Sequence, residues 1–535
     1  MKRFLAVFLL SAVLLQFGAC KRDGTPSWDV GVVVPLAHAS LSINNLIGDS
    51  LSSSNADGSI KLVYSSKIAG LSMDTLFNIP DTTVSNIFAP PITLNITAGS
   101  PITPTTPNQT TFGASGAQIV YGILTHGQMF LHLQNDIRRR VIVRYQIPCA
   151  SLNSIPFDMS YTIPAAADSL HAEFMDVTID LSGYSIDFTG ANHDRVNTLT
   201  TTFTARIDPT DNDATIYTSD TVGVNNTMKG IKPYYIRGYF GNETTQIGPD
   251  ETDFPIFKKV IAGSLGLDSL KMSLSIDNYI GMDSRLTINS IWSRNTRTNH
   301  SVYLNNSVMG MPINVNRAQY TNSWLPVVPS SYNFVFDNSN SNAKALVENL
   351  PDKLGYDFTL ITNPLGNVSG NNDFLFANYT IDSKLNIEMP LNLFADQLVT
   401  SDTVLPDFSS FKNRDKILKG TLTLFAENSF PFEADMNLYF IDVLGNITGS
   451  VVAQPNAIAS SPTNIVGGYV VSVGHTSSQL SIPLNETQTQ ALLNSTKIIF
   501  VSKFDTHSIP MYAKIFDTNH LDLKLTANFD YRVGN

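Results

Sequence analysis

The chain has 535 residues, of which 43% are hydrophobic and only 15% are charged, and its formal net charge is −11. This charged fraction is far below the roughly 25% of an average globular protein, so Asn, Ser and Thr must supply the polar surface, as they do in exported β-proteins. The acidic balance excludes nucleic acid as a partner, because no basic stripe is present to displace counterions from phosphates.

The first residues have the pattern of an export signal. Lys2 and Arg3 precede an uncharged apolar run over residues 4–17, which ends at the small pair Gly18-Ala19. The run is shorter than the roughly 20 apolar residues that a membrane-spanning helix needs. We therefore predict a cleaved signal peptide over 1–19 and a short tether over 20–27.

Cys20 follows the small pair directly, and the segment FGAC resembles a bacterial lipobox. The resemblance implies that Cys20 carries fatty acids such as palmitate, which anchor a chain stably when two or three are attached. Lys21-Arg22-Asp23 is similar to the export signal of Bacteroidota surface lipoproteins, which implies attachment to the outer membrane, facing either the periplasm or the cell surface. An ordinary secretory signal in which Cys20 is incidental is the alternative.

Cys149 is the only other cysteine, so a lipid-bearing Cys20 leaves no intrachain disulfide. Its place where an apolar strand meets Pro148 indicates a buried structural cysteine rather than a nucleophile.

The rest of the chain alternates between apolar and polar residues with frequent turn signals, which predicts an all-β protein of tandem sandwich-like or barrel-like modules. A β-branched run beginning at Trp28 opens an N-terminal β-segment, predicted over 28–97. Residues 98–117 are rich in Pro, Thr, Gly and Ser, and predict a linker.

A pattern of alternating strand, Asn, short turn and second strand then occurs three times, at Asn135, Asn278 and Asn428. Asn suits such a junction because its side chain bonds local backbone groups. The spacing of about 145 residues predicts a repeat. The modules are placed at 118–261, 262–415 and 416–535.

Each module has a second shared feature, an Asn that precedes another apolar-rich strand candidate. These residues are Asn197, Asn349 and Asn494. Helical signal is scarce, and residues 342–350 and 486–494 are the two places where it predicts short helices. The strand–Asn–Pro pattern resembles the strand pairs of LEA14-like or tubular lipid-binding β-modules, over about ten residues in each copy.

Candidate chemistry is sparse. The nine histidines show no helical metal spacing, and the chain has no nucleophile elbow or P-loop, so no catalytic residue and no cofactor is predicted. Asp208, Asp211 and Asp213 could offer oxygens to Ca²⁺, but their spacing is not that of an EF-hand, and a polar hairpin turn is the favoured interpretation. The aromatic run over residues 234–240 either fills a core or stacks on sugars, and a core is expected.

Asp followed by Ser or Thr recurs and resembles the O-glycosylation signal of Bacteroidota exported proteins. Ordinary turn chemistry is the alternative. The candidate acceptors are Ser50, Thr75, Thr82, Ser169, Thr221, Ser269 and Thr403.

These features together predict a lipid-anchored outer-membrane protein that acts as a non-catalytic scaffold or binding protein of the Gram-negative cell envelope. Its expected partners are the membrane, through the lipid, and another envelope protein, a glycan or a lipid. A carrier of an apolar ligand, which needs an apolar groove, and a polysaccharide or peptide hydrolase, which needs converging carboxylates, are the alternatives.

Overall fold

A computed structural model describes residues 28–42, 51–73, 79–114, 116–168, 171–321, 326–408, 417–452 and 457–533. Across these ranges the chain is mostly β-strand, with two short α-helices among the strands. The all-β prediction is therefore confirmed. No helix in the described part of the chain is both long enough and apolar enough to span a bilayer.

The strands up to residue 111 are Trp28–Ser42 (β1), Ser52–Ser54 (β2), Ile60–Leu71 (β3), Thr82–Phe88 (β4), Leu94–Ile96 (β5) and Asn108–Thr111 (β6). The next are Gln118–Asn135 (β7), Val141–Leu152 (β8), Ile155–Ile163 (β9), Glu173–Asp180 (β10), Ser185–Asp187 (β11), Thr198–Ile207 (β12), Ala214–Ile216 (β13) and Val222–Tyr239 (β14). They are followed by Thr244–Asp253 (β15), Val260–Leu267 (β16), Lys271–Asn278 (β17), Ser284–Asn295 (β18), His300–Tyr303 (β19), Pro312–Val315 (β20), Ser330–Asp337 (β21), Lys353–Thr362 (β22), Asp373–Phe376 (β23), Ile381–Pro390 (β24) and Asn392–Val404 (β25). The last are Ile417–Asn428 (β26), Glu433–Ile441 (β27), Ile447–Val452 (β28), Thr463–Val466 (β29), Tyr469–Ser472 (β30), Thr476–Leu484 (β31), Lys497–Asp505 (β32), Ala513–Lys514 (β33) and His520–Val533 (β34). The α-helices are Ala343–Glu348 (α1) and Glu486–Leu493 (α2), and Pro255–Phe257 forms a 3₁₀ turn.

Three β-sandwiches share one strand order. In one sheet of each, here the A sheet, antiparallel strands pair in the orders β10–β7–β14–β4, β21–β17–β24–β3 and β31–β26–β34–β1. In the other, the B sheet, the orders are β9–β8–β12–β6, β20–β18–β22–β15 and β28–β27–β32–β25. These pairs of sheets are called sandwiches 1, 2 and 3, in that order.

The N-terminal strands do not form a sheet of their own. They supply one strand of every A sheet, with β4 beside β14 in sandwich 1, β3 beside β24 in sandwich 2 and β1 beside β34 in sandwich 3, and β2 pairs with the outer edge of β3. Along the chain, β1, β3 and β4 therefore belong to sandwiches 3, 2 and 1 in that order. The later strands then form sandwiches 1, 2 and 3 in the opposite order. Strand β6, within the stretch predicted as a linker, pairs with β12 of sandwich 1. Strand β15 pairs with β22 of sandwich 2, and β25 pairs with β32 of sandwich 3, so each belongs to the sandwich that follows it in the chain.

Alternation of side chains explains why these segments become half-buried strands. In β34 the side chains of Leu521, Leu523 and Leu525 are buried, whereas those of Asp522 and Lys524 face outward. A single cluster of buried apolar side chains extends through all three sandwiches.

The two helices lie where the sequence predicts them, directly before β22 and β32. Helix α2 begins with a capping box, because the Asn485 side chain accepts from the backbone N–H of Gln488 while the Gln488 side chain accepts from that of Asn485. In sandwich 1 the corresponding residues before β12 form turns that end at Asn197, whose φ is 51°.

Candidate functional site

Several of the sequence-predicted site residues lie outside the described residues. These are Cys20, Ser50, Thr75 and Ser169. Of the other candidate glycosylation sites, Thr403 is exposed on β25, and Thr82 and Ser269 are half-buried. The Thr221 hydroxyl donates to a carboxylate oxygen of Asp136, so it is already engaged within the protein.

The carboxylates proposed for Ca²⁺ lie in the turn between β12 and β13. Asp208 accepts from the backbone N–H of Thr210, and this bond holds the pKa of Asp208 below its usual range. Asp211 accepts from the backbone N–H of Arg140 at 2.9 Å, which lowers the pKa of Asp211 in the same way. The third carboxylate, Asp213, accepts from the backbone N–H of Ala98. Each carboxylate therefore accepts a hydrogen bond from a backbone N–H group, as carboxylates in polar turns do.

A different group of potential metal ligands lies where β25 and β32 meet. Asp396, Asp505 and His507 each place one ligand atom within 4.8 Å of the others. Nδ1 of His507 contacts a carboxylate oxygen of Asp505, and its Nε2 is 3.9 Å from Asp396. The imidazole and Asp396 are both largely exposed, so these contacts are those of a solvated surface cluster.

A polar cleft of about 680 Å³, part of it open to solvent, lies in sandwich 2 between the start of β18, the end of β20 and the loop after β22. The space free for water-sized molecules is about 280 Å³, close to the lower limit of roughly 300 Å³ for small-molecule sites. The lining residues are Asp283, Ser284, Arg285, Asn314, Val315, Asn316, Asn363, Pro364, Leu365, Gly366 and Val368.

The chemistry of this polar cleft is that of hydrogen bonding rather than proton transfer. Arg285 and Asn314 contact each other through Nε and Oδ1 at 3.4 Å. The hydroxyl of Ser284 is buried without a hydrogen-bond partner, and buried polar atoms are rarely left so. Leu365 and Val368 form an exposed apolar lip. Such a lining can bind a ligand that carries amide or hydroxyl groups along with an apolar face.

A buried ion-pair network supports one wall of the cleft. Arg317 donates to Asp373, whose side chain is only 1% exposed, and its Nε is 3.5 Å from Asp283. The amide of Asn363 donates to the second oxygen of Asp373 at 2.8 Å. Asn363 has a φ of 44°, which turns the chain sharply at the end of β22. The network therefore fixes the loop that closes the cleft.

A shallow apolar pocket, with only about 30 Å³ of space free for water-sized molecules, lies between the two sheets of sandwich 1. It is lined by Ile79, Pro80, Thr82, Val84, Thr110, Phe112, Leu124, Ile186, Phe188, Leu199, Met228 and Ile231. The pocket is local, because the remainder of the sandwich interior belongs to the packed core.

Cys149 and the aromatic run over residues 234–240 both contact the apolar core. Burial raises the pKa of the Cys149 thiol, whose Sγ is 3.5 Å from the carbonyl of Thr200. Phe240 is buried, while Tyr234 remains 40% exposed. Tyr235 packs against Phe376 with ring centroids 4.7 Å apart, and Phe376 lies on β23, which pairs with β14 beside it.

Sequence reasoning missed the polar cleft because its walls come from three segments that are distant in the chain. The unusual density of Asn over residues 363–372 was the one available signal.

No protein-family model matches the chain, and no curated protein matches it. Among solved structures the chain is similar to a protein of Parabacteroides distasonis described as a putative secreted protein, with 10% identity and a TM-score of 0.27, over 94% of this chain and 99% of that one. It is also similar to the structure of infectious bursal disease virus, Gx strain, with 9% identity and a TM-score of 0.15, over 86% and 85% of the two chains. TM-scores this low carry no argument about function.

Proposed function

We propose that this protein is a lipid-anchored, non-catalytic scaffold or binding protein of the Gram-negative cell envelope, held at the outer membrane through Cys20. The lipobox-like sequence FGAC supports the anchor. The proposal concerns attachment and recognition, and it assigns no bond-making step to any residue.

One observation carries the proposal. The segment that follows Cys20 supplies a strand to the A sheet of each of the three sandwiches, beginning with β1, only eight positions after the cysteine. A pull on the anchor would therefore act first on the backbone hydrogen bonds between β1 and β34, and the same segment is tied further along to the other two sandwiches. This arrangement suits a protein that presents extended surface while fixed to a membrane.

The polar cleft supports the binding half of the proposal. Its guanidinium, amide and hydroxyl groups and its apolar lip fit an envelope polymer that carries amides, such as a glycan with acylated amino groups or a peptide. Co-sedimentation with purified peptidoglycan tests this. We expect the variant Arg285→Ala with Asn314→Ala to lose binding, and equal sedimentation of parent and variant would refute the cleft as the site.

The anchor itself is tested by metabolic labelling with palmitate. We expect label in the parent chain and none in Cys20→Ala, with the parent in the outer-membrane fraction and the variant released. Labelling that persists in Cys20→Ala would overturn the proposal.

A second function, carriage of an apolar ligand, would use the pocket of sandwich 1, which must widen to admit more than a water-sized molecule. Displacement of a fluorescent fatty acid tests it. Leu124→Trp would fill the pocket and should abolish probe binding, whereas Ile155→Trp, on an exposed strand position, should not. Equal probe binding by the two variants would exclude the pocket.

A further inference from the structure

The start of the described chain lies at one end of sandwich 3. Trp28, the first residue of β1, is opposite Val533 in β34, and Tyr531 of β34 is opposite Ile417, the first residue of β26. Three strands of the A sheet therefore begin or end together at this position, which is called the anchor-proximal end.

The turn between β27 and β28 lies at the same end of the B sheet. Strand β27 ends at Ile441, opposite Lys497, where β32 begins. Helix α2 connects the two sheets here, because Gln490 donates to the carbonyl of Ile417 at 2.9 Å and Gln488 donates to that of Ser450. Trp28 and this turn thus lie at the same end of sandwich 3, Trp28 on the A sheet and the turn on the B sheet.

Large apolar side chains stand exposed at this end. Val443 and Leu444, at the tip of the turn, are 82% and 81% exposed, and Trp28 is 56% exposed. The Asp442 carboxylate accepts from the backbone N–H groups of Leu444 and Asn446, which fixes the turn with its apolar pair outward. Turn tips normally carry polar residues, so an ordered apolar pair here marks a contact surface.

We propose that the anchor-proximal end rests on the lipid bilayer, with Val443 and Leu444 entering the interfacial layer and Trp28 at headgroup level. The inference rests on the proposed lipid at Cys20. The eight residues from Cys20 to Trp28 span at most about 28 Å, so the acyl chains keep this end of sandwich 3 beside the membrane. Trp favours the membrane–water interface because one part of its ring is apolar and the N–H is polar.

Charge contributes little to this contact. Arg532 pairs with Asp29 at 3.2 Å and Lys419 with Asp530 at 3.6 Å, so the cations beside Trp28 already have partners. Binding should therefore depend on buried apolar area and only weakly on salt.

Vesicle flotation of the mature chain carrying Cys20→Ser tests the contact without the lipid. The vesicles contain phosphatidylethanolamine and phosphatidylglycerol. We expect the parent to float and Val443→Asp with Leu444→Asp to bind about ten-fold less, since two apolar side chains are replaced by charges. The matched control is Ile465→Asp with Val466→Asp, an exposed apolar pair at the end of β29, and β29 lies at the other end of sandwich 3 because its partner β30 pairs with β33 beside the start of β25.

Flotation of the control at the parental level, with loss in the first variant, supports the proposal. The proposal is overturned if the parent does not float or if the two variants float equally. A surface that binds a protein partner instead of lipid would give a parent that does not float. Because both pairs are exposed, matching thermal unfolding of all three proteins shows that folding is intact. Palmitate labelling of the Cys20 chain separates the two proposals: absent label with flotation retained refutes only the anchor, and label with flotation lost refutes only the contact.

Discussion

Asn135 and Asn428 make the same hydrogen bonds in different sandwiches. The side-chain oxygen of each accepts from the backbone N–H two residues later, that of Ile137 or Phe430. The amide of each donates to the carbonyl four residues later and to a carbonyl of a more distant segment, that of Pro164 or Ala459. Asn278 accepts from Ile280 in the same way.

The register confirms that these positions are equivalent. Asn135, Asn278 and Asn428 each end the second strand of an A sheet, opposite Val222, Ile381 and Leu521. Those residues in turn are opposite Phe88, Leu71 and Leu41, near the ends of the three strands supplied by the N-terminal segment.

Loss of one such side chain should destabilise its sandwich strongly. Asn428 is buried, and Asn428→Ala leaves the carbonyls of Phe432 and Ala459 and the N–H of Phe430 without partners, so we expect a cost of about 2–4 kcal/mol. Urea unfolding measures it. The exposed Asn464→Ala should change stability by no more than about 0.5 kcal/mol. Equal stability of the two variants would contradict the role given to the turn.

The pairing of β1 with the last strand predicts a long-range stability effect. Leu36 is buried in β1, and Leu36→Ala should lower the stability of sandwich 3 by about 2–5 kcal/mol through lost burial and a cavity. Hydrogen exchange should detect it as faster exchange in β34. Val33→Ala, at an exposed position three residues away, is the control and should leave β34 protected. Unaltered exchange in Leu36→Ala would be incompatible with the pairing.

The ion pair beside the polar cleft should respond to removal of only one partner. Arg317→Met leaves the buried carboxylate of Asp373 without its cation, for an expected loss of about 3 kcal/mol. Adding Asp373→Asn removes the stranded charge and should restore part of the stability. Thermal unfolding compares the two proteins, and a double variant no more stable than the single one would be evidence against a charged pair.

The pH dependence of sandwich 2 should include Glu251. Hydrogen bonds from Arg294, with Nε to Oε1 at 2.8 Å, hold the pKa of Glu251 below its ordinary value of 4.5. Since the folded pKa is the lower one, the stabilisation is complete above about pH 5 and is lost as the pH falls through the folded pKa. Wild type should therefore exceed Glu251→Gln in stability at neutral pH, and the gap should close in acid. The exposed Glu388→Gln is the control, and a gap independent of pH would argue against this account.

Local pattern was enough to predict the fold class, the two helices and the three asparagines at strand–turn junctions, because each depends on residues within a few positions of one another. The alternation of apolar and polar residues in β34, for instance, shows which side of the strand is buried but not which strand pairs with it. It could not show that β1 is that neighbour, because pairing between distant edges depends on the whole assembly. The polar cleft escaped prediction for the same reason, since Arg285, Asn314 and Asn363 come together only after β18, β20 and β22 have paired.

The reversed order of the N-terminal strands has a consequence for synthesis. Strand β1 is made before the other described strands, yet its hydrogen-bonding partner, β34, follows all of them, so the A sheet of sandwich 3 cannot close until β34 has emerged. Contacts of such high sequence separation form slowly. Until then β1 and β26, which β34 will separate, offer free backbone groups to neighbouring chains. We expect a nascent molecule of this kind to stay open to such pairing for longer than three independent sandwiches would.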